Sequence, residues 1–161
     1  MSHLIIQFFR HFPPDISTLV MAMLPISERL ALPVSVLGFK EPASEAFVLV
    51  VLGNMVPVIG ILALAETFHK WISKRADVVG QAWAKAIEHV QLKFAKYEPF
   101  GLIGLFLFMA IPTPLNGAYS ASLVAFILGY PMRRSMPVLF AGVVTANIIE
   151  LLLLASASKL F

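Results

Sequence analysis

Leu24-Pro25-Ile26-Ser27-Glu28-Arg29-Leu30-Ala31-Leu32-Pro33 sets an acid beside a base, between prolines, in surroundings that are otherwise almost wholly apolar. Ten largely apolar residues precede it (16–25) and ten follow (30–39). As helix, ten residues reach about 15 Å, half of a hydrocarbon core of about 30 Å. Two half-length arms joined at a charged, proline-flanked tip predict a re-entrant hairpin over residues 16–39, with its tip near mid-membrane. Non-helical backbone survives at that depth only where protein or a water-filled cavity covers it. An ionisable pair there marks a functional site by default. The competing reading is a short solvent-facing turn between two spanning helices, with Glu28 and Arg29 simply hydrated.

The chain as a whole has the composition of an integral membrane protein. Hydrophobic residues make up 59% of the 161 and charged residues 13%, with a mean hydropathy of +0.86, which is outside the range of soluble domains. With no cysteine, disulfides, thiolate catalysis and thiolate metal sites are excluded. The net charge of +3 is no nucleic-acid signature, because the basic residues border apolar segments and form no groove-sized patch. Residues 1–15 carry neither a basic n-region nor a small-residue cleavage site before Pro13-Pro14. They read as a short interfacial segment, with Phe8, Phe9 and Phe12 toward lipid headgroups.

After Pro13-Pro14, Asp15 or Ser17 is placed to cap the first arm. Gly38 closes the hairpin and Lys40-Glu41-Pro42 returns the chain to the interface. Residues 46–65 are uncharged and bracketed by Glu45 and Glu66, so a transmembrane helix is expected over 43–68. Its middle holds Gly53-Asn54-Met55-Val56-Pro57. Pro57 frees a carbonyl one turn earlier, and Asn54 either helps to satisfy it or ties two helices together. Over 69–98 the character changes: six of the twelve Lys and Arg residues lie there, with both tryptophans and an apolar residue every three or four positions. That pattern predicts a basic amphipathic helix lying in the headgroup plane; a partner-binding helix fits it as well. Residues 100–130 carry no charge but are broken by Ile111-Pro112-Thr113-Pro114-Leu115-Asn116-Gly117, which prohibits continuous helix and favours a turn. A second re-entrant hairpin is expected there. A last transmembrane helix follows over 135–158, with Asn147 and Glu150 inside it.

The two halves echo each other in order. Leu24-Pro25 answers Ile111-Pro112, Leu37-Gly38-Phe39 answers Leu128-Gly129-Tyr130, Pro42 answers Pro131, and Leu52-Gly53 answers Ala141-Gly142. Each half reads as a broken hairpin followed by one true crossing. Paired, proline-interrupted segments of this kind point to the binding site of a transporter, although membrane composition alone can produce echoes. One crossing per half would invert the second half relative to the first. With re-entrant hairpins, the linker and Arg133-Arg134 share a side and hold eight of the twelve Lys and Arg residues. The positive-inside rule then puts the linker in the cytoplasm. A plain four-span arrangement groups Arg10, the linker and Lys159, also eight, so charge counting does not choose between them.

Pro25-x-x-Glu28-Arg29-x-x-x-Pro33, Leu52-Gly53-Asn54-x-x-Pro57 and Ile111-Pro112-x-Pro114-x-x-Gly117-Ala118 together resemble the bacterial family labelled putative small multidrug export proteins, distantly similar to the DedA membrane proteins. The resemblance runs from about Leu19 to the C-terminus. It implies an all-α integral membrane protein of the cytoplasmic (inner) membrane, with re-entrant hairpins around a central site. For DedA-like relatives it implies proton-linked movement of a lipid carrier or another amphiphile. Where such sequences often read Pro-Gly-Thr-Gly, this one reads Pro114-Leu115-Asn116-Gly117.

An enzyme is not expected. The four histidines, His3, His11, His69 and His89, show no ligand spacing, and no glycine loop cradles phosphate. The expected function is proton-coupled transport, or flipping, of a small or amphiphilic, anionic or lipid-linked substrate. The alternative is a structural or assembly protein of the membrane. The candidate substrate and proton site comprises Glu28, Arg29, Pro25, Pro33, Asn54, Pro57, Pro112, Pro114, Asn116 and Gly117, with Glu150 and Asn147 as secondary candidates. Glu28 would bind and release the proton, and Arg29 would attract the anionic group. Dehydration and the adjacent guanidinium pull on Glu28 in opposite senses, so its protonation would depend on whether substrate has taken the arginine. Glu150 is expected to snorkel toward the far interface or to bond to a neighbouring helix. No metal or organic cofactor is expected, only protons as coupling ion. The expected partners are membrane lipids and a second copy of the chain, with no nucleic acid.

Overall fold

The computed structural model describes residues 12–25, 27–73, 81, 82, 85, 98–111 and 117–158. Every regular element among them is a helix, in the order short, short, long, twice over. The first half comprises α1 (Pro14–Met23), α2 (28–38) and α3 (Ala43–Ser73); the second comprises α4 (Glu98–Ala110), α5 (Ala118–Ile127) and α6 (Met132–Ser158). The expected all-α class is found. Apart from its two ends and a few isolated positions, the amphipathic helix expected over 69–98 lies outside the described residues, as do residues 1–11.

The breaks fall where proline puts them. α1 opens with Pro14 at its first position, where a missing N–H removes no helical bond. Neither Asp15 nor Ser17 caps it: the helix starts ahead of both without a side-chain cap, and Ser17 Oγ donates back to Pro13 O at 3.1 Å. α2 is a composite of a 3₁₀ turn (Glu28–Leu30), an α turn (Ala31–Pro33) and a π turn (Val34–Gly38). Pro33, which supplies no N–H, stands where the α turn gives way to the π turn. The second hairpin ends more regularly. Gly129 at φ 73° takes the left-handed position, while Gly129 N bonds to Phe126 O and Tyr130 N to Ala125 O, the bond pair of a Schellman cap.

The two long helices pass through their internal prolines, Pro57 and Pro137, without a break. Their apolar stretches, Ala43–Phe68 and Met132–Ser156, contain 26 and 25 residues, each about 38 Å at about 1.5 Å per residue, enough to cross a bilayer. Only 39% and 28% of their most apolar windows are buried, whereas a soluble core helix is covered on most sides. Leu64, Ile103, Leu123 and Leu152 stand exposed on four different helices, which suits lipid and not water.

α3 and α6 run antiparallel. Val58 and Leu62 share a buried cluster with Leu139 and Val143, while Ala46 and Val50 lie in a second cluster against which Leu151 and Leu154 pack. Glu66, near the end of α3, lines one cleft with Pro131, Met132, Arg133 and Met136, at the start of α6. The end of the first long helix and the start of the second therefore lie at the same end of the molecule. The same register sets Asn54 level with Asn147, near the middle of both helices.

The echoed positions make matching contacts. A Cβ on Gly53 would come within 2.6 Å of Ala22 Cβ and 2.8 Å of Leu19 O. A Cβ on Gly142 would come within 2.6 Å of Met109 Cβ and 3.4 Å of Phe106 O. Ala22 and Leu19 stand three and six residues before Pro25, as Met109 and Phe106 stand before Pro112. In each half the long helix thus meets the first short helix through a glycine at the corresponding place. Pro42 O accepts from the amides of Glu45 and Ala46, as Pro131 O does from Arg134 and Ser135.

Candidate functional site

α1 stops at Met23, and the tip is tied down by its own polar groups. Leu24 N bonds to Met21 O, and Ser27 Oγ donates to the same carbonyl at 2.8 Å. The chain then turns into α2 through Glu28 N, which bonds to Leu24 O at 2.9 Å. This delivers the Glu28 side chain into the protein, where it is only 6% exposed.

Its partner comes from the other half of the chain. Glu28 Oε1 accepts a hydrogen bond of 2.8 Å from Ala118 N, the first residue of α5, ninety positions away. Gly117, immediately before α5, has no side chain with which to cap it, and a Cβ there would sit 2.7 Å and 2.9 Å from the two carboxylate oxygens. Gly117 is in extended backbone (φ −147°, ψ 179°) that any residue adopts. Space for Glu28, not backbone freedom, is what glycine provides at this position. Ser120 Oγ completes the cap, accepting from Gly117 N at 3.0 Å.

A second bond runs the opposite way. Tyr119 OH donates to Met23 O, at the C-terminal end of α1. Aligning Leu37-Gly38-Phe39 with Leu128-Gly129-Tyr130 puts Glu28 and Tyr119 at corresponding places, so each half sends the same position across to the other half's tip. Tyr119 was not among the expected site residues, and this alignment was the one signal that could have found it.

Around this junction lie charges from a third element. Arg29 is adjacent and half-buried, and it acts electrostatically on Glu28. Glu150, half-buried on α6, interacts electrostatically with both Arg29 and Glu28. Glu150 thus belongs to the same group of charges. Asn54 is 2% exposed, and its Oδ1 accepts no hydrogen bond, so that oxygen does not tie helices together. Asn147 Nδ2 is occupied within its own helix, on Val143 O at 2.8 Å. Pro33 and Pro57 are half-buried and Pro25 is exposed at the first tip. Pro112, Pro114 and Asn116 lie outside the described residues. No group of three or more His, Asp or Glu that could hold a metal occurs among the described residues.

The energetics of the Glu28 cap are close to balanced. Burying a carboxylate costs several kcal/mol even after relaxation. A charge-assisted hydrogen bond returns about 1.5–3 kcal/mol, and a helix N-terminus about 0.3–1, or about 2 in the best geometries. The gains roughly match the cost. A neutral cap such as serine at position 117 would hold α5 without the burial.

No curated protein and no solved structure matches the chain. The model of one family does, described as Putative small multi-drug export protein, over residues 28–149. That span opens on Glu28 and closes one residue before Glu150, taking in the α2 and α5 sides of the junction, all of α3 and α6 as far as Ile149: the chain is a membrane protein of the small multi-drug export family.

Proposed function

We propose that the protein is a proton-coupled transporter or flippase for an amphiphile bearing an anionic group, working where two re-entrant tips meet near the bilayer midplane. One observation carries this reading: the Glu28 carboxylate occupies the amide at the N-terminus of α5. A helix N-terminus with an arginine beside it is an anion site, and here a side-chain anion fills it. An incoming anionic headgroup, drawn by Arg29, competes with Glu28 for Ala118 N. Once displaced, Glu28 is a buried carboxylate without its amide and takes up a proton. When substrate leaves, Glu28 gives the proton up and returns to the amide. Substrate and carboxylate exclude each other at one N–H, and that exclusion couples the two movements. On this reading Glu150, which interacts electrostatically with Glu28 and Arg29, passes the proton on.

The re-entrant arrangement, with the second half inverted, is supported by three observations. α1, α4 and α5 have 10, 13 and 10 residues, about 15–20 Å each and short of a crossing. The equivalent glycine contacts in the two halves favour a repeat. Glu66 and Arg133 share a cleft, which suits hairpins that return to their side and not a four-span chain. On this reading the basic linker lies on the cytoplasmic side of the inner membrane. A second copy of the chain shields the tips from lipid.

Reconstitution tests the reading. In pyranine-loaded proteoliposomes, a panel of amphiphilic anions should drive proton movement through the wild-type protein. Silence across the panel from folded, inserted protein would favour the structural alternative, in which Glu28 is only a cap.

A further inference from the structure

A helix leaves its first four amides and its last four carbonyls outside its own bonding pattern. At the junction, one such group on each side is met by a side chain from the opposite half. At the end of α1, Met21 O accepts from Leu24 N and Ser27 Oγ, within the same half, but Met23 O accepts from the hydroxyl of Tyr119. At the start of α5, Ala118 N donates to Glu28 Oε1 at 2.8 Å. Ala118 and Tyr119 are consecutive, so both crossing bonds leave the first two residues of α5 and both end on the first tip. The rest of the face that α5 turns to the protein is small and apolar: Ala118, Ala121 and Ala125 are wholly buried in the cluster that holds Val51 and Met55 of α3. That contact is non-directional, so the two bonds set the position of α5 against the tip.

The bonds differ in what breaks them. The one from Ala118 N to Glu28 draws its strength from a charge, which Arg29 and Glu150 influence and which a proton removes. The one from Tyr119 joins a neutral hydroxyl to a neutral carbonyl and has no charge to lose. We propose that Tyr119 is a positioning residue, the second tether of a two-bond latch, which holds the two tips together when Glu28 leaves Ala118 N. The latch concerns the parting of the tips and does not require transport. If the transport reading holds, the tether lets an anion take the amide without the halves separating and admitting water.

The test is the rate at which a small water-soluble methanethiosulfonate labels single cysteines in the full chain in nanodiscs. It uses neither substrate nor proton gradient, so its outcome is separate from that of the flux assay. Ser27→Cys reports on the first tip and Ser122→Cys on α5, while Ser135→Cys is a control at the start of α6; all three serines are buried. Rates are scaled to Lys40→Cys, which is exposed, in the same background and at one pH. Tyr119→Phe should speed labelling at both junction positions about fivefold, as expected of one neutral hydrogen bond, and Glu28→Ala about tenfold or more. Together they should approach the product of the two, with Ser135→Cys unchanged. Wild-type labelling in Tyr119→Phe would overturn the proposal. So would an equal rise at Ser135→Cys, because the hydroxyl would then support the whole fold. No added effect of Tyr119→Phe in the Glu28→Ala background would overturn it too, since the tether would hold nothing once Glu28 has gone.

Discussion

Gly117→Ala adds one methyl group and isolates the junction between the halves. The backbone there is extended (φ −147°), so alanine brings no conformational strain. Its Cβ would stand 2.7–3.0 Å from Oε2, Oε1 and Cδ of Glu28, and the carboxylate must retreat by several tenths of an ångström. That lengthens or breaks the 2.8 Å bond to Ala118 N. Losing a charge-assisted bond while its carboxylate stays buried costs about 1.5–3 kcal/mol. At about 2–4 °C per kcal/mol for a chain of this size, the unfolding midpoint should fall by about 3–12 °C. The same substitution in a Glu28→Ala background should cost close to nothing, because the methyl then fills space. The assay is a thermal melt in detergent of the four proteins of this cycle. Equal losses in both backgrounds would refute the reasoning, since Gly117 would then matter for something other than Glu28.

Three further outcomes follow from other parts of the structure. Gly53→Ala forces a Cβ against Leu19 O and Ala22 and should cost about 1–3 kcal/mol by overpacking, whereas Gly60→Ala, with nothing within 4 Å, should be neutral or slightly stabilising; paired melts decide. Asn54→Leu removes a buried oxygen without a partner and should stabilise the protein by about 1–3 kcal/mol while lowering transport; a destabilised variant would make Asn54 structural. The Glu41 carboxyl, raised chiefly by burial, means that the folded chain holds its proton to higher pH than the unfolded chain. Its contribution is full below the unfolded value and lost as pH rises through the folded one, so the midpoint should fall from acid toward neutral pH.

What was legible in the sequence was local. Proline and charge mark the break at Pro25–Glu28, apolar runs mark α3 and α6, and Gly-Tyr-Pro marks the end of the second hairpin. The matched dipeptides Leu52-Gly53 and Ala141-Gly142 were visible, but not that each glycine makes room for the first short helix of its own half. The bond from Glu28 to Ala118 N could not be read, because nothing local links positions ninety residues apart. The electrostatic contact of Glu150 with Arg29 and Glu28 could not be read for a related reason. A lone acid in an apolar helix says nothing about which face it takes. Glu41 looked like a solvated interfacial charge between Lys40 and Pro42. Its burial depends on Thr18 and Ser35 arriving from two different arms. Capping by Asp15 or Ser17 failed because Pro14 starts the helix earlier.

The arrangement in the membrane has its own check. Single cysteines at Lys40 and Ser156 should label from one side, and at Glu66 and Arg133 from the other, with no native cysteine to interfere. Labelling of Lys40 and Arg133 from the same side would restore the four-span chain.

The central claim is that Glu28 carries the coupled proton. The direct measurement is proton flux in pyranine-loaded proteoliposomes, driven by an amphiphilic anion active on the wild type, for Glu28→Gln and Glu150→Gln at matched insertion. The account predicts that Glu28→Gln abolishes coupled flux while the protein stays folded, and that Glu150→Gln slows it without abolishing it. Full flux from Glu28→Gln, with flux lost in Glu150→Gln, would contradict it and move the proton site to α6.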